Sequence, residues 1–155
     1  MSIRSVNSLS HYTDWTVGHV HGGALGWNAF ITFGSFYALV PWIWRRQSMY
    51  SPRLVEVHFW LGLAGTIIYL FSMWNSGIIQ GLMWRTYNDS GTLAYSFIES
   101  MEAMAPYYAA RAFGGLLFLI GAIVGAYNIF MTIRTGETKA SSATVDERPL
   151  SASVA

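Results

Sequence analysis

Long uncharged runs alternate with short charged connectors along this chain. Residues 15–44, 57–84 and 112–133 contain no Asp, Glu, Lys or Arg, giving runs of 30, 28 and 22 residues. A helix needs about 20 predominantly apolar residues to cross a bilayer, and buried helices of soluble domains are seldom so uniformly apolar. The pattern predicts an all-α membrane protein with three transmembrane helices, at about 15–44, 54–82 and 106–133. Between the second and third spans, Leu93, Phe97, Met101 and Met104 recur near helical spacing. They predict a short interfacial helix in that loop, with Pro106 in the first turn of span three.

Charge placement orients the spans. Arg45, Arg46, Arg53, Arg134, Lys139 and Arg148 lie on one side, against Arg4 and Arg85 on the other, with Arg111 at the edge of span three. The positive-inside bias puts the 45–53 connector and the C-terminus in the cytoplasm. Trp15, Trp84, Tyr107 and Tyr108 then mark the outer belt, and Trp42, Trp44, Tyr50 and Trp60 the inner one. The chain divides into a three-helix part, 1–135, and a Ser-, Ala- and Thr-rich stretch, 136–155, expected to be a disordered cytoplasmic tail. The first nine residues are neither basic nor apolar enough for a signal peptide.

Composition narrows the chemistry. The 155 residues include no cysteine, which excludes disulfides, thiolate-held clusters or copper, and Cys-x-x-Cys-His haem attachment within them. A net charge of +1 and the lack of a basic stripe give no sign of nucleic-acid binding. The seven methionines are scattered and read as packing.

The element with the most chemical content is His19-Val-His21, set among Gly18, Gly22, Gly23 and Gly26 near the outer end of span one. Histidine within a span is costly and is functional by default. Residues at i and i+2 of a helix point about 200° apart, so this pair cannot chelate one small ion from one face. Each imidazole can instead hold its own large cofactor, and haem iron suits a neutral imidazole in apolar surroundings. On a helical wheel the glycines at 18, 22 and 26 fall between the two rings, leaving room for flat macrocycles or for a closely packed neighbour. The alternative is plain small-residue helix packing, with both histidines hydrogen-bonded to adjacent helices.

Other polar residues carry weaker signals. His11 and Asn7, just before the span, could contact a haem propionate at the outer surface, or His11 could be a solvated interfacial residue. Asp14 suits the positive end of a helix dipole. Glu56 and His58, at the start of span two, read as surface groups rather than a proton entry. Arg111 either pairs with Glu102 or an anionic group, or snorkels to the headgroups, the simpler reading. Ser72, Asn75, Ser76 and Gln80 form a polar thread suited to interhelical hydrogen bonding. Gly121 and Gly125 make a second small-residue pair, so the helices are built to pack closely with one another or with partners.

The run Ser5-Val-Asn-Ser-Leu-Ser-His11-Tyr-Thr-Asp14-Trp-Thr-Val-Gly-His19-Val-His21, followed by Gly23-Ala-Leu-Gly-Trp-Asn28, resembles the catalytic subunit of cbb3-type cytochrome c oxidases, the C-type haem–copper oxygen reductases. Leu54-Val-Glu-Val-His-Phe-Trp60, Gly77-Ile-Ile-Gln-Gly-Leu-Met-Trp-Arg85 and Pro106-Tyr-Tyr-Ala-Ala-Arg-Ala-Phe-Gly-Gly-Leu-Leu-Phe118 extend it over about residues 2–135. The His-x-His element is shared by haem–copper oxidases generally; the Ser-His-Tyr-Thr-Asp-Trp run points to the cbb3 branch. Gly22 departs from it, standing where many relatives have Ser.

The resemblance implies that His19 is the proximal ligand of the high-spin haem b and His21 an axial ligand of the low-spin haem b. It also implies that His11 and Asn7 lie near the high-spin haem propionates. It covers the last three of about a dozen spans, so the copper-binding histidines, their cross-linked tyrosine, the second low-spin ligand and the proton-path residues fall elsewhere. The expectation is therefore a C-terminal fragment, incomplete alone, with copper in the complete site but not bound by this chain. Implied partners are the remaining part of the catalytic subunit, c-type cytochrome subunits, cytochrome c as donor, and membrane lipid. The implied location is the bacterial inner membrane, with the haem-ligand end toward the periplasm. Two competing expectations are a non-enzymatic haem-binding electron-transfer module and an inert packing remnant.

Overall fold

A computed structural model describes residues 2–135, all on helices and short connections. Helix α1 covers Arg4–Ser10, and span one is assembled from α2 (Asp14–His21), a π-helical segment (Gly22–Ala29) and α3 (Phe30–Ile43). Helices α4 (Pro52–Met83) and α5 (Phe97–Thr135) form spans two and three. All three spans are long and apolar enough to cross a membrane. The expected tail, 136–155, lies outside the described residues.

Local chemistry sets the helix ends. Thr13 caps α2, its side chain accepting from the Trp15 N–H at 3.3 Å. Ser51 caps α4 by accepting from the Leu54 N–H at 3.4 Å, and Pro52 takes the first turn, where its missing donor costs nothing. The start of α5 departs from expectation. No separate interfacial helix forms; the segment from Phe97 runs straight into span three, with Pro106 inside it. The cause is a reciprocal cap: the Glu99 carboxylate accepts from the Ser96 N–H at 2.7 Å while the Glu99 N–H donates to Ser96 Oγ at 3.3 Å. The loop before it turns at Gly91, whose φ of 77° suits glycine, and closes through a bridge between Tyr87 and Leu93. Helix α1, which the hydrophobic pattern does not signal, packs against the C-terminal end of α4.

Glycines align the spans. A Cβ at Gly18 would lie 2.8 Å from the Trp74 ring, at Gly22 3.5 Å from Leu70, and at Gly26 3.9 Å from Thr66. The partners step backwards by one turn as the glycines step forwards, so α2 and the π segment run antiparallel to α4. Helices α4 and α5 approach more closely: a Cβ at Gly65 would sit 2.6 Å from the Gly114 carbonyl oxygen, and one at Gly121 3.2 Å from the Gly62 nitrogen. Small residues permit this backbone contact, the usual basis of helix association in lipid.

The resulting distribution is inside-out. Ser72, Ser76, Gln80, Asn128 and Thr132 are buried, while Trp27 is 72% and Trp42 72% exposed. Phe71, Leu119 and Ile123 also face outward. Such a surface is stable against hydrocarbon, not water.

Candidate haem-ligand site

The site is built on α2 and the π segment that follows it. At the N-terminus of α2, the Asp14 N–H donates to Gln80 Oε1 at 2.8 Å, and Ser76 Oγ donates to the Asp14 carboxylate at 2.7 Å. Part of the polar thread of span two thus does join helices, as its spacing predicts. Ser72 and Asn75 instead bond to carbonyls of their own helix.

His19 and His21 flank the glycine seam. With Gly18 and Gly22 facing α4, the two imidazoles each stand about 80° from the seam, on opposite sides. His19 is exposed and stacks on Trp15, ring centroids 5.5 Å apart and planes 13° apart. Trp15 in turn stacks on Trp74 at 6.5 Å. His21 is half-buried and lies 4.8 Å from the Tyr69 ring of α4. Its Nδ1–H donates to the Val17 carbonyl at 2.8 Å, which fixes the tautomer and leaves the Nε2 lone pair available for a metal.

This arrangement fits macrocycle-held iron. Gly23 lies one turn beyond His19 on the same face, and nothing stands within 4 Å of where its Cβ would be. A flat ring can therefore approach the helix beside His19. The wheel leaves room for either a macrocycle or a neighbouring helix along the glycine face; α4 fills it, and open space lies on the His19 flank beside Gly23. Among the described residues no cluster of three or more His, Asp or Glu side chains is placed to hold a bare metal ion. Each imidazole is a single donor, as an axial ligand should be.

His11 and Asn7 precede the N-terminus of α2. His11 follows α1, is exposed, and packs its ring against Tyr12 at 4.2 Å; its backbone N–H donates to the Asn7 carbonyl at 3.0 Å. Arg111 does not reach outward alone: its guanidinium lies 4.9 Å from the centre of the Tyr108 ring, with Nη1 3.8 Å from Met73 Sδ.

The cytochrome c and quinol oxidase polypeptide I family model matches residues 1–117. The chain belongs to that family. It is 60% identical over 139 residues to a bacteroid cytochrome c oxidase subunit 1 homolog of Bradyrhizobium diazoefficiens, covering 90% of this chain and 25% of that protein. A cytochrome c oxidase subunit 1 homolog of Azorhizobium caulinodans is 56% identical over 138 residues, 89% of this chain and 25% of its own length. A cbb3-type cytochrome c oxidase subunit of Stutzerimonas stutzeri is 53% identical over 137 residues, 88% of this chain and 29% of its own length. The chain thus spans about a quarter of the length of the curated relatives it matches. The oxidase resemblance read from the Ser5 to Asn28 motifs agrees with these matches.

One polar group was misjudged from the sequence. His58 is not a surface residue; it is 4% exposed, hydrogen-bonded through Nδ1 to the Tyr37 hydroxyl, and packed edge-on to Phe33 with centroids 4.4 Å apart. It also presses on Gly125, where a Cβ would meet the imidazole. A cavity of about 400 Å³ opens beside it, lined by Phe30, Phe33, Gly34, Tyr37 and Phe59, with the exposed Glu56 at its edge. The signal was available: His58 lies in phase with Gly62, Gly65, Ser72 and Ser76, the small and polar face that α4 buries.

Proposed function

We propose that this chain is the C-terminal part of a cbb3-type cytochrome c oxidase catalytic subunit and supplies axial ligands to two haems b. His19 is the proximal ligand of the high-spin haem and His21 a ligand of the low-spin haem. The observation that carries this reading is the placement of two single-donor imidazoles on opposite flanks of one helix, one with its Nδ1 already engaged by the Val17 carbonyl.

When bound, the haems supply the electron-transfer and oxygen-reducing chemistry, coupled in the whole enzyme to proton translocation. This chain's residues bind and orient. The Val17 carbonyl holds the His21 ring and makes its Nε2 a better donor. Trp15 covers one face of the His19 ring. His11 and Asn7, outside the span, are assigned to the propionates of the high-spin haem. Copper belongs to the complete site, on histidines of the remaining part of the subunit. That part, c-type cytochrome subunits and a cytochrome c donor complete the assembly in the bacterial inner membrane, with the ligand end periplasmic and the C-terminus cytoplasmic.

The test is ligand removal in the complete complex. His21→Ala should abolish the low-spin haem spectrum and leave the high-spin one, and His19→Ala should do the reverse. Equal loss of both signals from either change would refute the two-flank assignment.

A further inference from the structure

We propose that Asp14 is a positioning residue for both imidazoles. This rests on the ligand roles just given to His19 and His21.

The glycine seam of span one against α4 sets the distance between the two helices, and hydrogen bonds add direction to that contact. Among the described residues, the hydrogen bonds of span one to α4 occur at two places: Asp14 at the histidine end and Tyr37 at the other end. The π segment separates Tyr37 from the histidines, so Asp14 is the directional anchor on their side.

Its contacts converge from two helices. Gln80 and Ser76, one turn apart on α4, take the two ends of the residue: Gln80 Oε1 accepts from the backbone N–H, and Ser76 Oγ donates to the carboxylate. The Tyr108 side chain of α5 lies near the same carboxylate. Ser76 is fully buried, and Gln80 is nearly so. The backbone of Trp15, the next residue, packs directly on Gly77 of α4. His19 lies about 7.5 Å further along the same rigid turn sequence, so rotation at Asp14 is transmitted to both rings.

The experiment uses the complete oxidase complex. Asp14→Ala removes the carboxylate; Asp14→Asn retains an acceptor for Ser76 and is the rescue variant. The readouts are the iron–histidine stretching band of the reduced high-spin haem and the g-values of the oxidised low-spin haem. With haem content unchanged, Asp14→Ala should shift both signals, and Asp14→Asn should return both most of the way. If Asp14→Ala fails to assemble, Ser76→Ala should give smaller shifts in the same direction. Native signals with lowered thermal stability alone would show a merely structural role and overturn the proposal. His19→Ala and His21→Ala serve as controls. If they leave the haem signals intact, the ligand assignment itself fails; if they abolish them while Asp14 and Ser76 variants are silent, only the positioning role falls.

Discussion

Asn128 and Ser51 pair as two backbone groups would: the Ser51 N–H donates to Asn128 Oδ1 at 3.0 Å, and Asn128 Nδ2 donates back to the Ser51 carbonyl at 2.9 Å. The neighbouring Tyr50 N–H donates to Thr132 Oγ1 at 2.9 Å, and the Arg46 guanidinium donates to the Ile133 carbonyl at 2.6 Å. The connector between spans one and two is thereby fastened to the C-terminal end of α5. Asn128 is fully buried, so its loss strands two backbone groups. Asn128→Leu should destabilise the assembled subunit by roughly 1–3 kcal/mol for each stranded group. A thermal unfolding series on the purified complex measures it, and an unchanged midpoint would contradict the pairing.

Close approach of α4 and α5 at Gly65 and Gly114 leaves no room for a side chain. Gly65→Val places atoms against the Gly114 carbonyl and the Phe118 nitrogen, both within 2.7 Å of a Cβ. Backbone cannot yield as a flexible side chain can, so the helices must separate. The expected loss is at least the 1–3 kcal/mol, in round terms, of overpacking a core. Gly115→Val, with nothing within 4 Å, should be nearly neutral. Size-exclusion profiles of the two variants in detergent provide the comparison.

The half-buried Tyr37 and the buried His58 offer a cleaner measure of a single contact. Tyr37→Phe removes the hydroxyl and leaves the His58 nitrogen unpaired in an apolar pocket, at a cost of about 1–3 kcal/mol. His58→Leu should suppress that penalty, so the double variant costs less than the sum of the two single changes. Additive costs in the unfolding free energies would mean that the two side chains act independently.

Ligand chemistry at position 21 should be readable electrochemically. His21→Met keeps a single axial donor but loses the Nδ1–H bond to the Val17 carbonyl. Replacing imidazole by thioether raises the reduction potential of haem iron. Potentiometric titration of the complete oxidase should find the low-spin haem retained and its midpoint raised, with the high-spin haem unmoved. A shift confined to the high-spin centre would exchange the two histidine assignments.

The three spans were legible because charge is so costly in hydrocarbon that its absence over 15–44, 57–84 and 112–133 leaves few alternatives. The separation of His19 from His21 followed from helical periodicity alone. The start of α5 was obscured by Pro106, which suggests a helix beginning there, although Ser96 and Glu99 carry the stronger cap. His58 reads as a surface group when taken as a lone polar residue near a helix end; only the stripe it shares with Gly62 and Gly65 marks it as buried. What fills the glycine face was not legible at all. That Trp74, Leu70 and Thr66 meet Gly18, Gly22 and Gly26 depends on how distant helices pair, and helical spacing within one span carries no such information.

The π-helical stretch Gly22–Ala29 divides span one into two halves that share an axis but not a phase. Its wider turns hold slack, much as a vernier holds an offset between two scales. Removing one residue there would let the stretch relax toward an ordinary α-helix without disturbing the turn that carries His19 and His21. The slack would take up most of the change, so the half that carries Tyr37 would keep its face toward His58. The same rod can thus lose a residue at its middle while both of its ends keep their partners.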